Sequence, residues 1–239
     1  MIGILVQLAI SWIIIWFVEK KDLSVLGLRP TLPRIADLMI FLAVASACCA
    51  SGYLLRRYFG NEDWVLNPKL TASLLLDGIW WNIKSVLFEE LIFRGVLFYL
   101  LIRKLGVTKA ILISSIAFGV YHWFSFEILG NPGQMIVVFF ITGLVGILYA
   151  YGYTQTGSLY ATIAMHFGWN FTKGFVFSDG SIGEGILLPV KTGPDVTVSY
   201  TIYYLITMLP MVSFLLVNFF LLRLRKKTFT GTEIAEVHI

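Results

Sequence analysis

The sequence predicts an all-α protein: a polytopic transmembrane helical bundle of about seven spans with a buried polar cavity. Three observations carry that prediction. Of 239 residues, 58% are hydrophobic and only 13% are charged, about half the charged share of a soluble domain. Mean hydropathy is +0.82. The apolar residues gather in seven segments, approximately 1–18, 35–59, 71–102, 107–124, 134–152, 157–178 and 200–222. A helix crosses a bilayer in ~20 residues, so each is a span or near-span.

The first segment, "MIGILVQLAISWIIIWFV", has no basic residue before its apolar run, and its charges follow in "EKK". It reads as a retained first span, not a cleaved signal. With the basic loop behind it, this span makes up residues 1–34. A core of five segments then occupies 35–178. Its first segment holds the only cysteines, adjacent Cys48 and Cys49. They have no spacing for a disulfide framework, a zinc site or a redox motif, and read as small packing residues. The segment 71–102 is longer than a bilayer needs, and its start carries Asp77, Asn82 and Lys84. That start is expected at the interface or buried in protein.

Residues 179–199, "DGSIGEGILLPVKTGPDVTVS", form a Gly-rich outer loop with an apolar patch, "ILLPV". The plain reading is a connector; the sharper one is a flap over a cavity. Residues 200–239 hold the last span and a basic cytoplasmic tail, expected to be mobile. His238 lies in that tail, away from any chemistry. There is no internal repeat and no low-complexity tract.

The net charge is +4. The basic residues sit in short clusters between apolar runs, "EKKD" at 19–22, "RK" at 103–104 and "RLRKK" at 223–227. That distribution fixes orientation in a membrane and argues against a nucleic-acid partner. With the N-terminus outside, the inner segments 19–34, 103–109, 153–156 and 223 onward hold 11 Lys and Arg. The outer segments 56–70, 125–133 and 179–199 hold 4. The bias predicts a multi-pass plasma-membrane protein, N-terminus outside and C-terminus cytoplasmic, with the lipid bilayer as its first partner.

Against this background, "SVLFEELIFRGVLF" at 85–98 stands out. An intramembrane charge costs at least ~2.5–3.5 kcal/mol, so Glu89, Glu90 and Arg94 must face protein or water. Glu90 and Arg94 are four apart and share a helix face, as an ion pair requires. Glu89 is rotated ~100° from Glu90. Glu90 is therefore expected to neutralise Arg94 while Glu89 projects into a cavity. The plainer alternative for the pair is a lock on helix packing.

Two histidines are also intramembrane: His122 in "AFGVYHW" and His166 in "YATIAMHFGWNF", with Asn170 one turn later on the same face. A lone buried His is usually a hydrogen-bonded core residue. Here four such groups lie on three spans. Their depths agree: from the inner ends of their spans, Glu89 is ~21 Å, His122 ~22 Å, His166 ~14 Å and Asn170 ~20 Å. A carboxylate and an imidazole around a buried water form a general-base arrangement. A second His and an amide supply oxyanion donors. Glu89, His122 and His166 are equally reasonable zinc ligands, with water in the fourth position. No HExxH motif is present to choose between these.

"EELIFRG", "FGVYH" and "HFGWN", in this order on successive spans, resemble the EExxxR, FxxxH and HxxxN motifs of the CAAX prenyl protease and bacteriocin-processing family. These are the type II CAAX or Abi intramembrane endopeptidases. "LSVLGLRP" is similar to a stretch that precedes the core in bacterial members, and the resemblance covers roughly residues 20–175. It implies that Glu89 is the catalytic base, helped by His122. It implies that His166 and Asn170 stabilise the oxyanion or contact a metal, that Glu90 and Arg94 support them, and that Phe118 is a packing residue. Both a zinc and a metal-free glutamate mechanism are implied. The substrate is then a peptide or membrane-protein segment in a bacterial plasma membrane. Two other readings compete. One is a non-enzymatic immunity or scaffold protein that keeps the motif geometry. The other is a proton-coupled transporter, which the absence of duplicated halves disfavours.

Overall fold

The computed structural model describes residues 2–180, 183–191, 193 and 197–225. The tail from 226, with His238, and parts of the 179–199 loop lie outside the described residues. All seven apolar segments fold as helix. The order is α1 (Ile2–Glu19), a 3₁₀ turn (Leu23–Leu26), α2 (Leu32–Gly60), β1 (Glu62–Leu66), α3 (Ala72–Phe93), α4 (Val96–Leu105), α5 (Val107–Ser125) and α6 (Pro132–Thr156). Then come α7 (Leu159–Phe171), a π turn (Thr172–Val176), β2 (Leu187–Lys191) and α8 (Tyr200–Arg223). By length and composition, α1, α2, α5, α6 and α8 each suffice to cross a membrane. The 22-residue α3 is long enough, but Asp77, Lys84, Glu89 and Glu90 interrupt its apolarity. This is an all-α, multi-pass membrane architecture.

Two departures from the sequence reading matter. The long segment 71–102 is not one helix: α3 ends at Phe93 and α4 starts at Val96. The break falls on Arg94 and Gly95. A Cβ at Gly95 would run into the Leu91 carbonyl oxygen, so only glycine fits there. The "ILLPV" patch is also not plain connector. Its residues form most of β2, which pairs antiparallel with β1 in the register Glu62↔Lys191 to Leu66↔Leu187.

The chain divides into two compact units. The first comprises Met1–Asp37, Leu87–Ile163 and Phe219–Ile239. Its core is apolar, built on Ile15, Leu26, Val96, Phe98, Ile102, Tyr153 and Leu159, all buried. At one end of it the 3₁₀ turn docks on the α6–α7 corner. Tyr153 Oη donates to Val25 O at 2.6 Å, and Ser158 Oγ to Gly27 O at 3.0 Å. Gly27 is left-handed at φ 63° and lies against Gly157 and Ser158; any side chain there would be both strained and blocked. Nearby, Lys21 Nζ donates to Tyr99 Oη at 2.7 Å, a contact that raises the lysine above its ordinary pKa. Arg103 pairs with Glu19 at 3.8 Å, and Arg225 with Asp37 at 2.8 Å.

The second unit comprises Leu38–Val86 and Ala164–Asn218. An aromatic trio links its sheet to α2. Tyr53 stacks on Phe177 at 4.0 Å between centroids, and Trp64 meets both edge-on at 5.4 Å. Tyr53 Oη donates to Asp179 at 2.9 Å. Small residues let the helices approach: Gly52 of α2 sits under Pro210 of α8, and Gly168 of α7 sits against Leu42 O and Ala45 of α2.

Candidate active site

The two adjacent acids have different surroundings. Arg94 lies just past the end of α3, and its side chain turns back one helical turn. Its Nη1 is 3.2 Å from Glu90 Oε1, and both side chains are 0% exposed. Nη2 donates to Gly146 O on α6 at 3.1 Å. The guanidinium lies over the Phe118 ring at 4.3 Å and near Tyr149 at 5.2 Å and Phe93 at 5.7 Å. A delocalised, weakly hydrated cation suits such an aromatic cage. Ser114 Oγ donates to Phe93 O at 2.7 Å, satisfying a carbonyl that the helix end would otherwise leave open.

Phe118 joins this cage to His122. The rings are 4.5 Å apart at 70°, and His122 Nδ1 donates to Phe118 O at 2.7 Å. A carbonyl only accepts, so Nδ1 carries the proton. In the neutral ring Nε2 is then the acceptor. Tyr121 and Phe126 pack edge-on to the same imidazole at 5.4 and 5.0 Å. Glu89 is 8% exposed where Glu90 is fully buried. Glu90, Arg94, Phe118 and His122 are thus a continuous chain of contacts inside the first unit, with Glu89 on the same helix.

His166 and Asn170 lie in the second unit, on α7. His166 is 4% exposed and Asn170 is half-buried. Between them, Gly168 is ~200° round the helix from each. It is pressed on α2, with Ser46 Oγ donating to Gly168 O at 3.3 Å. The backbone contact therefore turns the His166 and Asn170 face away from α2. Two residues after Asn170, α7 gives way to the π turn Thr172–Val176, a distortion common at functional sites.

Sequence reasoning missed Gly146 and Tyr149. Gly146 gives its carbonyl to Arg94, and a Cβ there would meet Phe118 and Ser115 at 3.2 Å and Arg94 Nη2 at 3.4 Å. A resident zinc needs three protein ligands and an open position. Among the described residues no group of three His, Cys, Asp or Glu side chains has that spacing.

No curated protein and no solved structure matches the chain. Residues 71–172, which hold all three motifs, match the family described as type II CAAX prenyl endopeptidase Rce1-like. Residues 71–172 are therefore similar to the protease family that the motifs resemble.

Proposed function

We propose that this chain is an intramembrane endopeptidase in which Glu89 activates water for attack on a peptide bond. The observation that carries the reading is the split between two neighbouring acids. Glu90 is fully buried on Arg94, so its charge is committed to structure. Glu89 keeps some exposure one residue away. The family match supports a CAAX-type peptidase acting on peptide substrate within the bilayer.

In this mechanism Glu89 takes a proton from water as the oxygen attacks the scissile carbonyl. His122, its Nδ1–H held by Phe118 O, offers Nε2 as a second acceptor and orients the water. For His166 and Asn170 the motif resemblance implies the role of donors to the oxyanion of the tetrahedral intermediate. The proton held on Glu89 then passes to the leaving nitrogen as the C–N bond breaks, giving one carboxylate and one amine. The N-terminus is outside and the C-terminus cytoplasmic, following the charge bias.

The Glu89→Gln protein, in proteoliposomes with an internally quenched prenylated CAAX peptide, is expected to lose ~10²–10⁴-fold in turnover while its melting temperature holds. Unchanged turnover removes Glu89 as the base. Zinc analysis of the purified protein decides the other branch. Stoichiometric zinc that is lost in a His122→Ala/His166→Ala protein would replace the glutamate mechanism with a metal one.

A further inference from the structure

A cleft of about 640 Å³ lies wholly within the second unit, at the end that carries the sheet. Its volume is that of a small-molecule site, ~300–1,000 Å³. It is lined by Arg56 from α2, Asn61 and Glu62 at the start of β1, Lys191 at the end of β2, and Tyr203 and Thr207 from α8. Among the described residues the lining carries two cations and one acid. Both acids near Arg56 approach a single nitrogen, Nη1, with Asp179 at 3.4 Å and Glu62 at 4.0 Å. A guanidinium has five N–H donors in a planar fork, so Arg56 keeps donors for another acceptor. Lys191 stands directly across the strand pair from Glu62.

The surroundings say where the ligand comes from. Tyr58, Tyr200, Tyr203 and Tyr204, at the ends of α2 and α8 that meet the cleft, are all more than half exposed. Exposed tyrosines at helix ends mark headgroup depth in a bilayer. Below them, Leu54, Leu205 and Leu209 leave apolar flanks for acyl chains. Phosphate pairs with Arg and Lys by charge-assisted hydrogen bonds. The acid beside them would repel a purely anionic group and would suit an N–H-bearing ammonium.

We infer that this cleft binds the phosphoethanolamine head of a membrane phospholipid, with phosphate on Arg56 and Lys191 and ammonium on Glu62. The site is separate from the proposed catalytic residues, and its test needs no peptidase activity. The full chain is titrated with phosphatidylethanolamine and with phosphatidylcholine of matched acyl chains, and retention is read by native mass spectrometry. Phosphatidylcholine presents no N–H to Glu62, so phosphatidylethanolamine should be held about tenfold more tightly. Lys191→Ala and Arg56→Ala should each weaken it about tenfold. Glu62→Gln should lower phosphatidylethanolamine to the phosphatidylcholine level without changing the latter. Lys191→Ala and Glu62→Gln carry the test independently of Arg56, whose replacement also removes its tie to Asp179. Equal retention of the two lipids, or retention indifferent to Lys191, overturns the inference. Soluble phosphoethanolamine binding as well as the lipid overturns the lipid as its source.

Discussion

Two ion pairs of nearly equal length sit in different regions and do different work. In the first unit Glu90 and Arg94 are 3.2 Å apart with both side chains 0% exposed. In the second unit Arg56 and Asp179 are 3.4 Å apart, with side chains 39% and 40% exposed. Separation alone would rank them alike. Solvent makes the difference, because a buried pair has no water to fall back on if one partner goes. An exposed pair is screened and exchanges its partner for hydration. The first region is therefore expected to be rigid and intolerant, and the second tradeable, as a lipid site requires.

The largest effect should come from breaking the buried pair. Arg94→Ala leaves Glu90 buried beside an emptied aromatic cage and frees Gly146 O. The expected cost is ~3–5 kcal/mol, seen as lost folded yield or a lower unfolding midpoint in detergent. Replacing both partners together, Glu90→Leu with Arg94→Met, should recover most of that loss, since no uncompensated charge remains. A stable Arg94→Ala protein would remove the distinction between the two regions.

A smaller effect should follow from crowding the cage instead of emptying it. Gly146→Ala puts a methyl among Phe118, Ser115 and Arg94 at 3.2–3.4 Å and should cost ~1–3 kcal/mol. Gly143, one turn earlier on α6, is the internal control. Its added Cβ would meet only Ser115 O, at an ordinary 3.9 Å, and alanine there should be neutral or gain up to ~1 kcal/mol of helix propensity. Equal melting points for the two variants would show that packing at Gly146 is not specific.

These residues also mark what the sequence made legible. The apolar segments were visible because length and hydropathy are local properties. Glu90 with Arg94 was visible because both lie on one helical turn, as do Phe118 and His122. Gly146 and Tyr149 were invisible: they are neutral, more than 50 residues from Arg94, and meet it only through tertiary packing. The break at Gly95 was hidden inside a segment long enough to read as one span, where a glycine alone does not distinguish a kink from a close contact. The strands were hidden too. "EDWVL" and "LLPVK" are five residues each and pair across more than 120 residues of chain, so nothing local announces them. Glu62 and Lys191, the charges at the end of that pairing, were read only as loop residues.

The smallest effect should be Arg56→Ala. Its pair with Asp179 is exposed, and Asp179 keeps the Tyr53 hydroxyl at 2.9 Å, so no charge is stranded in a dry place. The loss should be at most ~1 kcal/mol in lipid-free detergent. It should also vanish near 1 M salt, where the Debye length is ~3 Å, whereas the Arg94→Ala loss should not respond to salt. Unfolding midpoints of both variants at low and high salt make the comparison direct. An Arg56→Ala loss that is large and indifferent to salt would mean that the sheet end is held as rigidly as the Arg94 cage, and a cation so committed could not turn toward a phosphate.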